Sequence, residues 1–243
     1  MAGGPPADLT IDPPGAVTLL HGFTGSAAGW QRVRHDLSLL GVTVHAVDLP
    51  GHGSRAGETD PRVFSLDSTL DAIDLGMVGP GSAPLVGYSM GGRLALHFAM
   101  ARPGRVRRLI LESASPGRAD DRERADRVES DDVLASAIEQ DGVAAFVDRW
   151  EALPIFETQR RLPEEVRADL RRRRLANDPQ SLAASLRGIG TGALPSLWDR
   201  LGEVVIPVLL IVGALDDKFV SIADRMAAQL PRADVVVVDG AGH

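Results

Sequence analysis

The sequence predicts an α/β protein: a mostly parallel sheet flanked by helices, with a helical lid inserted between two of its strands. Three observations carry this reading. Short apolar runs of strand length alternate with stretches of helical spacing. Over residues 113–194 the strand-like runs disappear, charge density rises and helical spacing dominates. The carboxyl ends of several apolar runs open into Gly-rich loops that carry Ser, Asp or His, and open parallel sheets collect ligands at that edge.

The elements follow in order. Residues 1–14, rich in Gly and Pro, read as a flexible lead-in; they lack a cationic patch followed by an apolar stretch and are not expected to be a secretory signal. Residues 16–20 form an apolar run that ends in the turn His21-Gly22-Phe23-Thr24-Gly25. Trp30, Val33, Leu37 and Leu40 fall at helical spacing, and Gly41 stops that helix. A strand is expected over 42–47, then the loop Asp48-Leu49-Pro50-Gly51-His52-Gly53-Ser54, a helix over 66–77 and a short strand over 84–87. A helix over 91–101 and a strand over 106–111 complete the first half. After the helical stretch, with Val133, Ile138, Phe146 and Trp150 and then Leu182 and Leu186 in phase, a strand returns at 207–212. A helix over 221–230 and a strand over 235–238 close the chain. This organisation gives a sheet core over 1–114 and 193–243 and a lid over 115–192. A doubly wound sheet ordinarily carries a covering helix after its last strand; none follows residue 238, so a C-terminal helix is expected to be missing.

Composition bounds the function. The 243 residues suit one domain with an inserted lobe, and 44% apolar against 24% charged is ordinary for a globular chain. The absence of cysteine excludes disulfides, thiolate metal sites and a cysteine nucleophile. No run approaches the ~18 apolar residues that span a bilayer. With 26 basic and 33 acidic residues, a net charge of −7 weighs against nucleic acid as a partner. Lys218 is the only lysine. The wealth of arginine fits codon bias and is no evidence of anion binding by itself. No cluster of His, Asp and Glu has metal-ligand spacing, and no metal or other cofactor is expected. Nothing in the sequence sets an oligomeric state.

The chemistry concentrates in Gly87-Tyr88-Ser89-Met90-Gly91. It matches G-x-S-x-G with an apolar strand leading in and a helix leading out, which is the context a strained nucleophile elbow requires. An ordinary Gly-rich turn is the plainer reading of the motif alone. Serine needs a base, and the base an orienting acid, in the order Ser, acid, His for this architecture. Asp216 after the strand at 207–212 and His243 after the strand at 235–238 fit that order. Asp217 is the rival acid, and Asp216 is equally suited to cap the helix that follows. The backbone N–H groups of Met90 and of Phe23 are the candidate oxyanion donors. His21 and His52 read as residues that shape their loops; His35, His45 and His97 carry no assigned role.

Together these motifs resemble the α/β-hydrolase superfamily. A narrower resemblance, through Gly87–Arg93, Glu112–Gly117, Trp150–Phe156, Ser185–Gly192, Pro195–Trp198 and Lys218-Phe219, is to the MenH-type 2-succinyl-6-hydroxy-2,4-cyclohexadiene-1-carboxylate synthases of menaquinone biosynthesis. It implies a cytoplasmic lyase that needs no cofactor and eliminates pyruvate from a small polycarboxylate substrate, 2-succinyl-5-enolpyruvyl-6-hydroxy-3-cyclohexene-1-carboxylate. His243, held by Asp216, would activate Ser89 to abstract a ring proton, with the negative charge that develops on the substrate carboxylate held by Phe23 and Met90. The resemblance further implies substrate contacts from Tyr88, Arg93, Arg127 and one arginine of the run 171–174, where Arg174 aligns best and Arg171 is the rival. Trp150 faces either the ligand or the lid core. A carboxylesterase or C–C bond hydrolase using the same three residues, and a non-catalytic binding module, are the competing readings.

Overall fold

The structure, a computed structural model, describes residues 15–243; the lead-in expected at 1–14 lies outside the described residues. Among these residues the strands form one six-stranded sheet: β1 (Ala16–Leu20), β2 (Thr43–Val47), β3 (Ala83–Tyr88), β4 (Val106–Glu112), β5 (Val208–Gly213) and β6 (Ala233–Val238). All pairs are parallel and the order is β2-β1-β3-β4-β5-β6. From β1 the chain first adds a strand on one side, then returns to add β3 on the other. The order therefore reverses between β1 and β3, and the crevice above their carboxyl ends is where such sheets bind ligands.

The helices are α1 (Gln31–Leu39), α2 (Leu66–Gly76), α3 (Met90–Ala101), α4 (Asp121–Glu151), α5 (Glu164–Leu175), α6 (Pro179–Ile189) and α7 (Asp217–Ala227). Leu20, Leu85, Leu109 and Leu111 are fully buried because both faces of the central strands are covered. In α3 Leu94, Ala95, Leu96 and Phe98 are also fully buried, so this helix is apolar on nearly every side and is enclosed by its neighbours.

Between β4 and β5 the chain runs through α4, α5 and α6 without a strand. Asp120 caps α4 by accepting the Arg122 and Glu123 amides, and Asp178 caps α6 by accepting that of Ser181. The Gly142 backbone, at φ 80° and ψ 169°, breaks α4 into two helical parts. This excursion owns a second core of Ala135, Ile138, Phe146, Leu182 and Leu186. Phe23, from the loop after β1, packs on both this core and the one under the sheet. One ring thus ties the sheet's carboxyl edge to the helices above it.

The helix expected from 221 instead starts at Asp217. The reason is the cap: Asp216 Oδ1 accepts the Phe219 amide at 3.3 Å, which draws the first turn back to the strand end.

Candidate active site

The turn between β3 and α3 is held in a strained form. Ser89 sits at φ 50°, ψ −110°, a region that costs a non-glycine residue about 1–3 kcal/mol. Its amide donates to the Glu112 carbonyl at 2.8 Å, and its carbonyl accepts the Arg93 amide at 3.1 Å. The turn also needs room. A Cβ on Gly91 would strike the Leu20 carbonyl and lie 2.5 Å from that of His21, so the helix leaves the turn against the end of β1 only because residue 91 has no side chain. Gly91→Ala is expected to cost about 3 kcal/mol, or roughly 6–12 °C in Tm. Thermal unfolding beside Gly104→Ala, whose added Cβ meets nothing within 4 Å, checks this.

The strand ends bring Ser89, His243 and Asp216 together. The Ser89 hydroxyl donates to His243 Nε2 at 3.0 Å. Nδ1–H of His243 donates to Asp216 Oδ2 at 2.9 Å, since a carboxylate can only accept. Asp216 therefore serves as both cap and acid, one oxygen for each, while Asp217 is the first residue of α7. The side chains of His243 and Asp216 are only 5% and 7% exposed. Phe219 packs against the His243 ring at 4.5 Å between centroids, with Tyr88 and Phe156 at 5.6 and 6.1 Å.

A cavity of about 430 Å³ lies over these groups, lined by Ser89, His243, Phe23 and Met90 among others. Met90 is the first residue of α3, where the amides of the opening turn have no partner within the helix. Tyr88 lines the cavity; burial, with the Glu112 carboxylate nearby, pushes the pKa of its hydroxyl up and keeps it neutral. Burial also raises the Glu112 carboxyl.

The arginines divide. Arg93 is 6% exposed; it donates to Thr191 Oγ1 at 2.8 Å and to the Ile189 carbonyl at 3.2 Å, and its Nε has no partner. Burial and the nearby Arg127 draw its pKa down to about 10. Arg127 lines the cavity from α4, held by Asp131 Oδ1 at 2.8 Å. Arg174 lines it from α5, donating to Glu151 and Gln159 at 2.9 Å each and lying over the Phe156 ring. Arg171 does not reach it: its guanidinium is spent on Asp148 and Glu151 at the surface, one helical turn from Arg174. Arg173 is the second member of the run at the cavity, donating to the Ala28 carbonyl at 3.0 Å. Trp150 answers both alternatives. It lines the cavity and packs against Phe23, Phe146 and Phe156 at 5.4–5.5 Å.

His21 and His52 are engaged in their loops. His21 Nδ1–H donates to the Gly22 carbonyl at 2.8 Å, and its Nε2 accepts the Leu49 amide at 3.0 Å. His52 donates to the Pro50 carbonyl at 2.9 Å, and burial, with His21 nearby, lowers its pKa to about 3. Sequence reasoning passed over Arg118 and Asp131, and within the run 171–174 it favoured Arg174 and Arg171 over Arg173. Arg118 had a signal, because it follows Pro116-Gly117 in the loop after β4. Asp131 had none beyond its i, i+4 spacing from Arg127.

Residues 19–243 match the model of the Alpha/beta hydrolase family. A Bacillus subtilis (strain 168) protein provisionally named 2-succinyl-6-hydroxy-2,4-cyclohexadiene-1-carboxylate synthase is 42% identical over 94% of this chain and 83% of its own length. The chain belongs to the alpha/beta hydrolase family, among its MenH-type members. The synthase of that name from Salmonella paratyphi C (strain RKS4594) is 30% identical over 95% of this chain and 88% of its own. The structure of MenH from S. aureus superposes with a TM-score of 0.87 at 34% identity, covering 96% of this chain and 88% of that one. In this hydrolase family member no described helix is long and apolar enough to cross a membrane, and no described group of three or more His, Cys, Asp or Glu could hold a metal ion.

Proposed function

We propose that this chain is a 2-succinyl-6-hydroxy-2,4-cyclohexadiene-1-carboxylate synthase of menaquinone biosynthesis, a lyase that releases pyruvate from 2-succinyl-5-enolpyruvyl-6-hydroxy-3-cyclohexene-1-carboxylate. The observation that carries the reading is a hydrogen-bonded Ser89–His243–Asp216 chain under a cavity walled by arginines, in a MenH-type sequence. A small substrate with several carboxylates needs such walls, because a guanidinium binds carboxylate through two parallel hydrogen bonds. An apolar ester needs none.

In this reading the lid is residues 115–192, and it closes the substrate over the sheet edge. Ser89 Oγ takes a ring proton as its own proton passes to His243 Nε2, and Asp216 steadies the imidazolium. The C–H electron pair forms a new ring double bond, the existing one shifts, and the C–O bond to the enolpyruvyl group breaks. The enolate leaves with that pair, takes a proton and becomes pyruvate. Phe23 and Met90 amides face the oxygen on which charge develops, their dipoles set before the reaction. Tyr88, Arg93, Arg127 and Arg174 hold the substrate, and Trp150 covers it. No acyl-enzyme forms.

The test is pyruvate release, coupled to reduction by lactate dehydrogenase, alongside the absorbance of the diene product. One pyruvate per diene is expected. Absence of pyruvate, together with a nitrophenyl-ester burst equal to the enzyme concentration, would replace the lyase with an esterase.

A further inference from the structure

Lys218 has no task in that chemistry. It lies in the first turn of α7, two residues beyond Asp216, and lines the cavity. Its ammonium sits 5.5 Å from the centroid of the Phe219 ring, which in turn packs against His243 at 4.5 Å. Among the described residues it makes no hydrogen bond or ion pair, unlike Arg171, Arg187 and Arg102, each of which meets two carboxylates. The charges that act on it are those of Arg118 from the loop after β4 and Arg127 from α4, both lining the same cavity, and of Asp216. Asp216 is already committed to His243 and to the α7 cap. Arg118 has its nearest carboxylate, Glu123, at 3.9 Å.

Lys218, Arg118 and Arg127 thus line one cavity, and among the described residues no carboxylate forms an ion pair with Lys218. Half-burial adds a desolvation cost, and the like charges repel; both lower the Lys218 pKa. Such an arrangement is balanced when a ligand brings the negative charge. The choice of residue adds to this. Lys218 is the sole lysine among 26 basic side chains, a compact ammonium where every other one is a guanidinium.

We propose that Lys218, with Arg118 beside it, forms a carboxylate subsite separate from that of Arg93, and that it fixes the end of the substrate nearest Phe219 and His243. The inference rests on the polycarboxylate reading above and goes beyond it by giving one carboxylate its own receptor. Two groups of the substrate qualify: the carboxylate of the leaving enolpyruvyl group and that of the succinyl arm.

Because the chain has one lysine, amine labelling reports on this site alone, with the α-amino group as internal control. The full chain is treated with trinitrobenzenesulfonate and its peptides are weighed by mass spectrometry, with and without saturating pyruvate or succinate. Lys218 labelling is expected to slow by about 10-fold with one of the two, and the protecting anion identifies the carboxylate; the α-amino rate stays unchanged. In turnover, Lys218→Gln is expected to raise KM by about 10- to 100-fold with little change in kcat. Lys218→Arg is expected to restore KM and to remove a rise in KM expected of the wild type at alkaline pH, where the ammonium loses its proton. Labelling indifferent to both anions, or an unchanged KM in Lys218→Gln, overturns the proposal. Protection without pyruvate release keeps the subsite and removes the lyase; pyruvate release without protection does the reverse.

Discussion

Ser89→Ala is expected to lower kcat for pyruvate release by about 10³-fold while KM stays within about threefold. In the folded chain the Ser89 hydroxyl already donates to His243 Nε2 at 3.0 Å. Its removal leaves the imidazole one atom short of the substrate, and a water held there loosely is the only replacement base. Binding survives because the arginines and aromatic rings of the cavity are untouched. Folding survives too, since alanine inherits the φ of 50° that serine already bears, so Tm changes little. The experiment separates mechanisms as well. A proton abstraction leaves no adduct on wild-type Ser89 when substrate is added and the protein is weighed, whereas an esterase route leaves an acyl mass. Robust turnover by Ser89→Ala would remove the serine from the proton path.

The elements and the three strand-end residues were legible because they are local. A period change from 2 to 3.6 marks strands and helices, and the elbow, Asp216 and His243 each follow an apolar run. The strand order was not legible. Nothing in the residues near 16–20 says that β3 will pair on the far side from β2; that is a property of crossover connections, and it opens the crevice. The arginines were harder still. Arg171 and Arg174 differ by one helical turn, and both meet Glu151 through its two oxygens. What separates them is burial: Arg174 is 12% exposed and Arg171 40%, a difference that spacing within α5 does not reveal. The start of α7 was misread because its capping residue was weighed as either cap or acid. Asp216 has two oxygens and does both.

Arg93→Met is expected to raise KM by roughly 10²-fold while Tm holds or rises by a few degrees. The two halves have one cause. Arg93 is buried, carries no carboxylate partner, keeps an unpaired Nε and faces Arg127. Its pKa falls to about 10, which means that the folded state resists the charge. For a base with a lowered pKa the cost is present in full below about 10 and is relieved as pH rises past it, so at neutral pH it is on the order of 3 kcal/mol. Methionine removes that cost and fills the space with an unbranched apolar chain. It leaves the Ile189 carbonyl and the Thr191 hydroxyl to find other partners, which offsets part of the gain. The ligand loses more. A substrate carboxylate that met a preplaced guanidinium now meets a thioether, and desolvating that carboxylate goes uncompensated. Denaturation curves and KM measured on the same preparation decide it. A Tm fall beyond about 10 °C would make Arg93 a structural residue, and an unchanged KM would take it away from the substrate. The predicted combination, more stable and weaker binding, is the mark of a charge kept in the fold for its ligand.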